Sequence, residues 1–338
     1  MSEVDRSQAV GYVSQIIRDA FDYQDEPAII VADNESELAR VLGEAYHAAL
    51  PQAHMIWFKK EEAAQIRDAL FALPEKSLVV LVQTSSFRLD DFRLRVELFK
   101  RSLKVIEHPH LGRMKDAEID IYLNGLEYDK EYLRGTGAEL AAIIDASSGG
   151  VLESQSGAKL HYPGAFEPAK LNVGDYSQMK NIGGQFPIGE VFTEAKDVFG
   201  VNGEVDIFAF GGNDFLIRIL ETPITLVVEN GLVTQVKNST PDFDEVMKTI
   251  STNERPLVRE LGLGLNKAFG RSHAVSDVGT FERQYGIHMS LGEKHAMYSK
   301  DGLSKRAGRF HVDVFIDAKK LTLGETVVFE NGKYTSER

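Results

Sequence analysis

Histidine and carboxylate side chains alternate with apolar residues near the carboxyl end of the chain. His311 and Asp313 flank Val312, and Val314 and Ile316 continue the apolar alternation. Because successive side chains of a β-strand point to opposite faces, this pattern places the imidazole and the carboxylate on one face. Both groups can then reach one divalent ion, and a half-exposed strand with a polar outer face is the alternative.

A second histidine lies in a similar pattern upstream. His288 alternates with Ile287, Met289 and Leu291, which predicts another strand with one apolar face and one histidine-bearing face. Taken alone, His288 also suits a structural role inside a folded domain. Four of the nine histidines lie between residues 273 and 311, and for this reason the two strands are candidates for one shared site.

Two acids lie within apolar segments that precede these strands. Glu260 opens the segment ELGLGLN, and Glu190 lies in FPIGEVFT. Burying an unpaired carboxylate costs on the order of several kcal/mol, so each acid must be solvated, protonated, paired or bound to a metal. Two nitrogen and three carboxylate donors together suit a pair of divalent ions such as Zn²⁺, Co²⁺ or Mn²⁺. The five candidate ligands are Glu190, Glu260, His288, His311 and Asp313. No HExxH motif is present, so the zinc site of helix-borne metalloproteases is excluded.

Strand and helix patterns alternate through the first third of the chain. Short apolar runs at residues 28–32, 54–58 and 77–83 are separated by segments with helical spacing. This alternation favours a parallel sheet with crossover helices. Neither GxGxxG nor GxxxxGK[ST] occurs, so no phosphate-binding loop is indicated. We interpret this region as a scaffold or dimerisation domain.

The second part of the chain has more closely spaced strands joined by turns. Asn230-Gly231 and Asn331-Gly332 are hairpin signals, and the SSGG segment at 147–150 marks the change of pattern. The prediction is an α/β plus α+β fold. It combines an N-terminal α/β domain with a parallel sheet, residues 1–146, and a C-terminal, mainly antiparallel metal-binding catalytic domain, residues 147–338.

Composition excludes several classes of protein. The 338-residue chain contains no cysteine, which excludes a disulfide scaffold, thiol catalysis and cysteine-ligated metals. Its formal charge of −13 argues against a general nucleic-acid surface, because phosphate binding needs a basic footprint. The polar amino terminus and the lack of an apolar run of about 20 residues predict a cytoplasmic protein without a membrane partner.

The candidate ligands lie in four short blocks whose order resembles a known family. GEVFT, ELGLGLN, HMSLG and HVD are similar to blocks of the aminopeptidase T and aminopeptidase S group of M29 metallopeptidases, over roughly residues 138–321. The resemblance implies two metal ions per chain, a homodimer, and cleavage of the N-terminal residue from a peptide or related amide. It places metal-ligand positions at Glu190, Glu260, His288, His311 and Asp313.

One position departs from the family pattern. The family has a tyrosine seven residues after the histidine of the HMSLG block, where this chain has His295, and Tyr298 follows three residues later. His295 could donate a hydrogen bond to the tetrahedral intermediate, bind a metal, or lie outside the site. Glu190 is the better candidate for the general base, so Glu190 and His295 are the predicted catalytic residues.

Three functional hypotheses remain open. The first is a two-metal hydrolase of the aminopeptidase type. The second is a metalloenzyme of the same fold with other chemistry, similar to 2,5-dihydroxypyridine 5,6-dioxygenase, which uses one iron held by two His and one Asp. In that branch a His replaces the acid of the ELGLG block, whereas this chain keeps Glu260 and Glu190, which favours two metals. The third is a non-catalytic dimeric binding protein.

Overall fold

The strand and helix patterns of the sequence have counterparts in a computed structural model that describes residues 6–87, 94–295, 297–298, 300, 303 and 308–337. The strands, numbered along the chain, are β1 (Ala28–Ala32), β2 (His54–Trp57), β3 (Leu78–Val82), β4 (Lys104–His108), β5 (Gly150–Ser154), β6 (Lys159–Tyr162), β7 (Lys170–Asn172), β8 (Gly183–Gln185), β9 (Glu190–Glu194), β10 (Asn202–Gly211), β11 (Ile217–Glu229), β12 (Leu232–Lys237), β13 (Val258–Gly264), β14 (Gly286–Leu291), β15 (Val312–Ile316), β16 (Ala318–Leu323), β17 (Thr326–Glu330) and β18 (Lys333–Tyr334). The helices are α1 (Arg6–Gln15), α2 (Glu37–Ala49), α3 (Ala63–Phe71), α4 (Leu94–Lys100), α5 (Ile119–Asn124), α6 (Lys130–Ala146), α7 (Pro241–Asn253) and α8 (Val278–Phe281).

Contacts divide the chain into two units. The first contains residues 1–130, 174–188 and 274–280, and the second contains residues 131–173, 189–273 and 281–338. Each unit therefore draws on separate stretches of the chain that meet in space. The division at 146/147 into an N-terminal and a C-terminal domain stays a prediction.

The first unit contains a parallel sheet in the order β2-β1-β3-β4-β8. Its central strands β1 and β3 have the sequences AIIVA and LVVLV and are buried along their whole length. Continuous apolar runs of this kind are typical of strands that are covered on both faces. The predicted α/β part of the fold, with its parallel sheet, is confirmed.

The second unit contains an antiparallel sheet, 13-stranded within the described residues. Its main order is β18-β17-β16-β5-β6-β10-β15-β14-β13-β9-β7, and β11 and β12 extend from β10. Asn230 and Gly231 connect β11 to β12 with φ angles of 52° and 75°, as expected of a two-residue hairpin turn. Asn331 and Gly332 do the same between β17 and β18, so the predicted antiparallel part is also confirmed.

None of the helices within the described residues has the length and apolar character needed to cross a membrane.

A fully buried histidine ends the strand β4 of the first unit. Tyr122 donates its hydroxyl hydrogen to the carbonyl of Phe186 at 3.1 Å, so it can accept from His108 Nδ1 at 2.8 Å. His108 Nε2 then accepts from the hydroxyl of Tyr46 at 2.7 Å. This network is satisfied by a neutral imidazole with its hydrogen on Nδ1. Burial lowers the pKa of His108 from 6.5 to about 3.

The buried His108 predicts acid sensitivity of folding. Its pKa is higher in the unfolded chain than in the folded chain, so the unfolded chain binds the proton first. The contribution of the neutral His108 to the free energy of unfolding is therefore fully present above pH 6.5. It declines as the pH falls from 6.5 towards 3, by up to about 1.4 kcal/mol per pH unit. We expect His108→Gln to flatten this decline in urea titrations between pH 7 and pH 4. The exposed His54, changed to Gln, should keep the wild-type slope, and equal slopes for all three proteins would contradict the prediction.

Candidate metal centre

Four adjacent strands of the second unit carry the predicted donor residues. In the order β9, β13, β14 and β15, each strand pairs antiparallel with the next. The structure brings together all five candidate ligands: Glu190 opens β9, Glu260 lies in β13, His288 in β14 and Asp313 in β15, and His311 directly precedes β15. Their convergence is a geometric finding, and their role as metal ligands stays a prediction.

The donor atoms lie close to one another and mostly away from solvent. His288 Nε2 is 3.2 Å from Glu190 Oε1 and 3.4 Å from Glu260 Oε1. His311 Nε2 is 3.1 Å from Asp313 Oδ1. The side chain of His288 is fully buried, whereas that of His311 is 25% exposed. The cluster is therefore more accessible to solvent at His311.

These side chains form two overlapping groups of possible metal ligands. In each group, one donor atom of every residue lies within 4.8 Å of the others. The two groups are Glu190, Glu260, Glu282 and His288, and Glu260, Glu282, His311 and Asp313. Glu260 and Glu282 belong to both groups, so two ions bound here would share these carboxylates.

Glu282 is the member of the cluster that the sequence did not predict. It lies in the connection between α8 and β14, where no strand alternation marks it. Its carboxylate forms an ion pair with Arg283, whose Nη1 is also 3.2 Å from Glu190 Oε2. In the sequence, Glu282 is marked only by its position six residues before His288. Outside a strand or helix, such a spacing does not indicate where a side chain points.

The glycines of β13 explain the ELGLG pattern in physical terms. Leu261 and Leu263 are fully buried and point away from the face that carries Glu260. Gly262 lies opposite His288 in the ladder, and a Cβ at Gly262 would lie 2.1 Å from His288 Nε2. The missing side chain therefore makes room for the imidazole.

Several of the donor atoms lack a hydrogen-bond partner among the described residues although they are buried. They are Glu190 Oε1, Glu260 Oε1, His288 Nδ1 and Nε2, and Asp313 Oδ1. An unsatisfied buried polar atom costs about 1–3 kcal/mol, so a cluster of them requires a compensating interaction. Imidazole and carboxylate donors at this spacing fit Zn²⁺, Co²⁺ or Mn²⁺. The residues therefore fit a divalent metal centre.

The electrostatics of the cluster favour a cation. Burial lowers the pKa of His288, but Glu190 and Glu260 outweigh it and raise that pKa well above 6.5. Burial also lowers the pKa of His311, but the carboxylate of Asp313 outweighs this effect, and the pKa of His311 rises to about 10. Burial raises the pKa of the Glu282 carboxyl group to about 8, although the positive charge of Arg283 lowers it. The carboxylates thus draw protons into the site, and a divalent ion would compete with those protons.

A backbone contact orients His311. Its Nδ1 is 3.1 Å from the carbonyl oxygen of Lys294, which can only accept a hydrogen bond. Nδ1 therefore carries a hydrogen, and Nε2 faces Asp313 as the atom available to a metal.

His295 lies beside the cluster, not in solvent. Its Nε2 is hydrogen bonded to Glu260 Oε2 at 2.6 Å, and its Nδ1 is 3.0 Å from Glu194 Oε2. Its ring stacks on that of His311 with centroids 5.8 Å apart. The hydroxyl of Tyr298 donates to the carbonyl of Pro168 at 2.8 Å. Whether His295 acts as a donor to substrate or as a ligand stays a prediction.

Comparisons with known proteins support the fold. No family model and no curated protein matches the sequence. Among solved structures, 2,5-dihydroxypyridine dioxygenase from Pseudomonas putida KT2440 is similar with a TM-score of 0.67 and 14% identity, covering 99% of this chain and 100% of that one. AmpT from Thermus thermophilus, an M29 aminopeptidase, is similar with a TM-score of 0.61 and 14% identity. That similarity covers 97% of this chain and 99% of AmpT. The chain therefore has a distant M29-like fold.

Proposed function

We propose that this protein is a metal-dependent hydrolase with two divalent ions per chain, which cleaves the N-terminal residue from a peptide or related amide. The observation that carries the proposal is the pair of ligand groups that share Glu260 and Glu282. Adjacent ions with shared carboxylates are the arrangement of two-metal hydrolytic centres. The metallopeptidase similar in fold, AmpT, supports the same class of activity.

The separation of the two histidines favours this proposal over a mononuclear iron centre. Among the described residues, His288 belongs to one ligand group and His311 to the other, and each is accompanied by three carboxylates. An iron site of the dioxygenase type needs two histidines and one carboxylate around a single ion. The similarity in fold to 2,5-dihydroxypyridine dioxygenase keeps that chemistry as the second candidate.

Bound ions would polarise the scissile carbonyl and supply a water of lowered pKa. Glu190 is the proposed general base, because Arg283 lies at Oε2 while Oε1 is buried without a hydrogen-bond partner among the described residues. Glu282, with a side chain 19% exposed, is the more accessible of the two carboxylates that the ions would share. A small peptide substrate, a homodimer and a cytoplasmic location are further parts of this proposal.

The test combines metal analysis with a substrate panel. Chelator-treated protein is reloaded with Zn²⁺, Co²⁺ or Mn²⁺, its metal content is measured, and it is incubated with aminoacyl-p-nitroanilides. We expect two ions per chain and hydrolysis that depends on them. One iron per chain with no amide cleavage would favour the dioxygenase alternative, and no bound metal would favour a binding protein. Glu204→Gln serves as the control, because Glu204 forms only a half-exposed pair with Lys237 elsewhere on the sheet.

A further inference from the structure

A buried acid that belongs to neither ligand group lies next to the centre. Glu194 ends β9, is fully buried, and pairs in register with Glu260 of β13. Cross-strand neighbours in register share a face of the sheet, so Glu194 and Glu260 point to the same side. Two buried carboxylates on adjacent strands repel each other unless a cationic group lies between them or beside them.

Glu194 is held in one orientation by charged partners. Arg259 binds it through two parallel hydrogen bonds of 2.9 Å, from Nε to Oε1 and from Nη2 to Oε2. Arg259 Nη1 is fixed in turn by the carbonyl oxygen of Glu293 at 2.7 Å, and Lys300 Nζ lies 3.7 Å from Glu194 Oε1. Bidentate arginine–carboxylate pairs restrict orientation strongly. These contacts fix the position of the Glu194 carboxylate.

His295 lies between this fixed acid and the centre. Its Nδ1 is at an ion-pair distance of 3.0 Å from Glu194 Oε2, without hydrogen-bond geometry, and its Nε2 is hydrogen bonded to Glu260 Oε2 at 2.6 Å. The second oxygen of Glu260, Oε1, lies 3.4 Å from His288 Nε2 and has no hydrogen-bond partner among the described residues. The imidazole thus occupies one oxygen of Glu260, and the other faces the ligand group.

We propose that Glu194 is a positioning residue of the metal centre, which acts through His295 to hold Glu260 with Oε1 directed at the metal. Outer carboxylates that orient inner ligands typically change metal affinity by about 10–100-fold when they are removed. The inference rests on the proposed metal-dependent function and adds residues that no ligand group contains.

The test measures Co²⁺ affinity and the visible absorption of bound Co²⁺, which reports ligand geometry without reference to turnover. We expect Glu194→Gln and His295→Gln each to weaken Co²⁺ binding by about 10–100-fold and to alter the spectrum. The double variant should bind Co²⁺ no more weakly than the more strongly affected single variant, because both substitutions interrupt the same connection between Glu194 and Glu260. Effects that multiply in the double variant would overturn the proposal.

Glu204→Gln is the matched control, because Glu204 pairs with Lys237 outside this network. It should leave Co²⁺ affinity and spectrum unchanged. If Glu194→Gln fails to fold because Arg259 loses its partner, Glu194→Gln combined with Arg259→Met removes both charges, and the same loss of affinity is expected. A wild-type protein that binds no metal contradicts the proposed function, whereas wild-type affinity and spectrum in a folded Glu194 variant contradict only this inference.

Discussion

Replacement of Glu260 by alanine should abolish binding of both metal ions and reduce hydrolysis by about 10²–10³-fold or more. Glu260 belongs to both ligand groups, so one substitution removes an anionic donor from each. It also removes the acceptor of the 2.6 Å hydrogen bond from His295, which releases a side chain that flanks the centre. Metal content per chain and kcat/KM on the best anilide substrate are the two measurements.

The control for this prediction is an acid of the same sheet outside the cluster. Glu204→Ala breaks only a pair with Lys237 in which both side chains are more than 40% exposed, so metal content and turnover should stay at wild-type values. If Glu260→Ala keeps two ions and full turnover, Glu260 is a structural acid and the shared-carboxylate centre is wrong. Circular dichroism of both variants separates metal loss from unfolding.

Substitution of Gly262 by alanine should damage both folding and metal binding. The added Cβ would lie 2.1 Å from two atoms of the fully buried His288 ring, so the ring or the strand must move. Overpacking of this kind typically costs about 1–3 kcal/mol of unfolding free energy, and here the displaced atom is also a proposed ligand. Urea titration should show the loss of stability, and metal analysis should show less than two ions per chain.

Two companion variants make this prediction specific. Gly135 lies within α6, and nothing lies within 4 Å of its added Cβ, so Gly135→Ala should stabilise the protein by about 0.4–1 kcal/mol. Combining Gly262→Ala with His288→Ala removes the clash and should recover part of the stability without recovering metal. A Gly262→Ala protein with wild-type stability and metal content would show that the strand can shift away from the ring.

The alternation of residue types was sufficient to indicate which donors share a face. In the segment around His288, apolar side chains at every second position predict a strand with the histidine on its other face. The same rule applies to His311 and Asp313, and it works because the two-residue period of a strand is a local property of the backbone. The parallel sheet was equally visible, since strands covered on both faces need unbroken apolar runs.

Glu282 and Arg283 could not be found in this way. Glu282 lies in a connection and enters both ligand groups only because the chain folds back beside β13. Its neighbour Arg283 was likewise unremarkable in sequence, yet it lies 3.2 Å from Glu190. Connections have no fixed period, so the direction of their side chains depends on the elements they join.

The sequence by itself determined the two kinds of sheet, the two Asn-Gly hairpins and five of the clustered side chains. Only the tertiary structure decided how four strands align, and this alignment sets Glu194 opposite Glu260 and His288 opposite Gly262. A shift of one residue in a single strand would turn its donors to the other face. Strand register is fixed by packing between distant segments, and no local pattern in any one of them contains it.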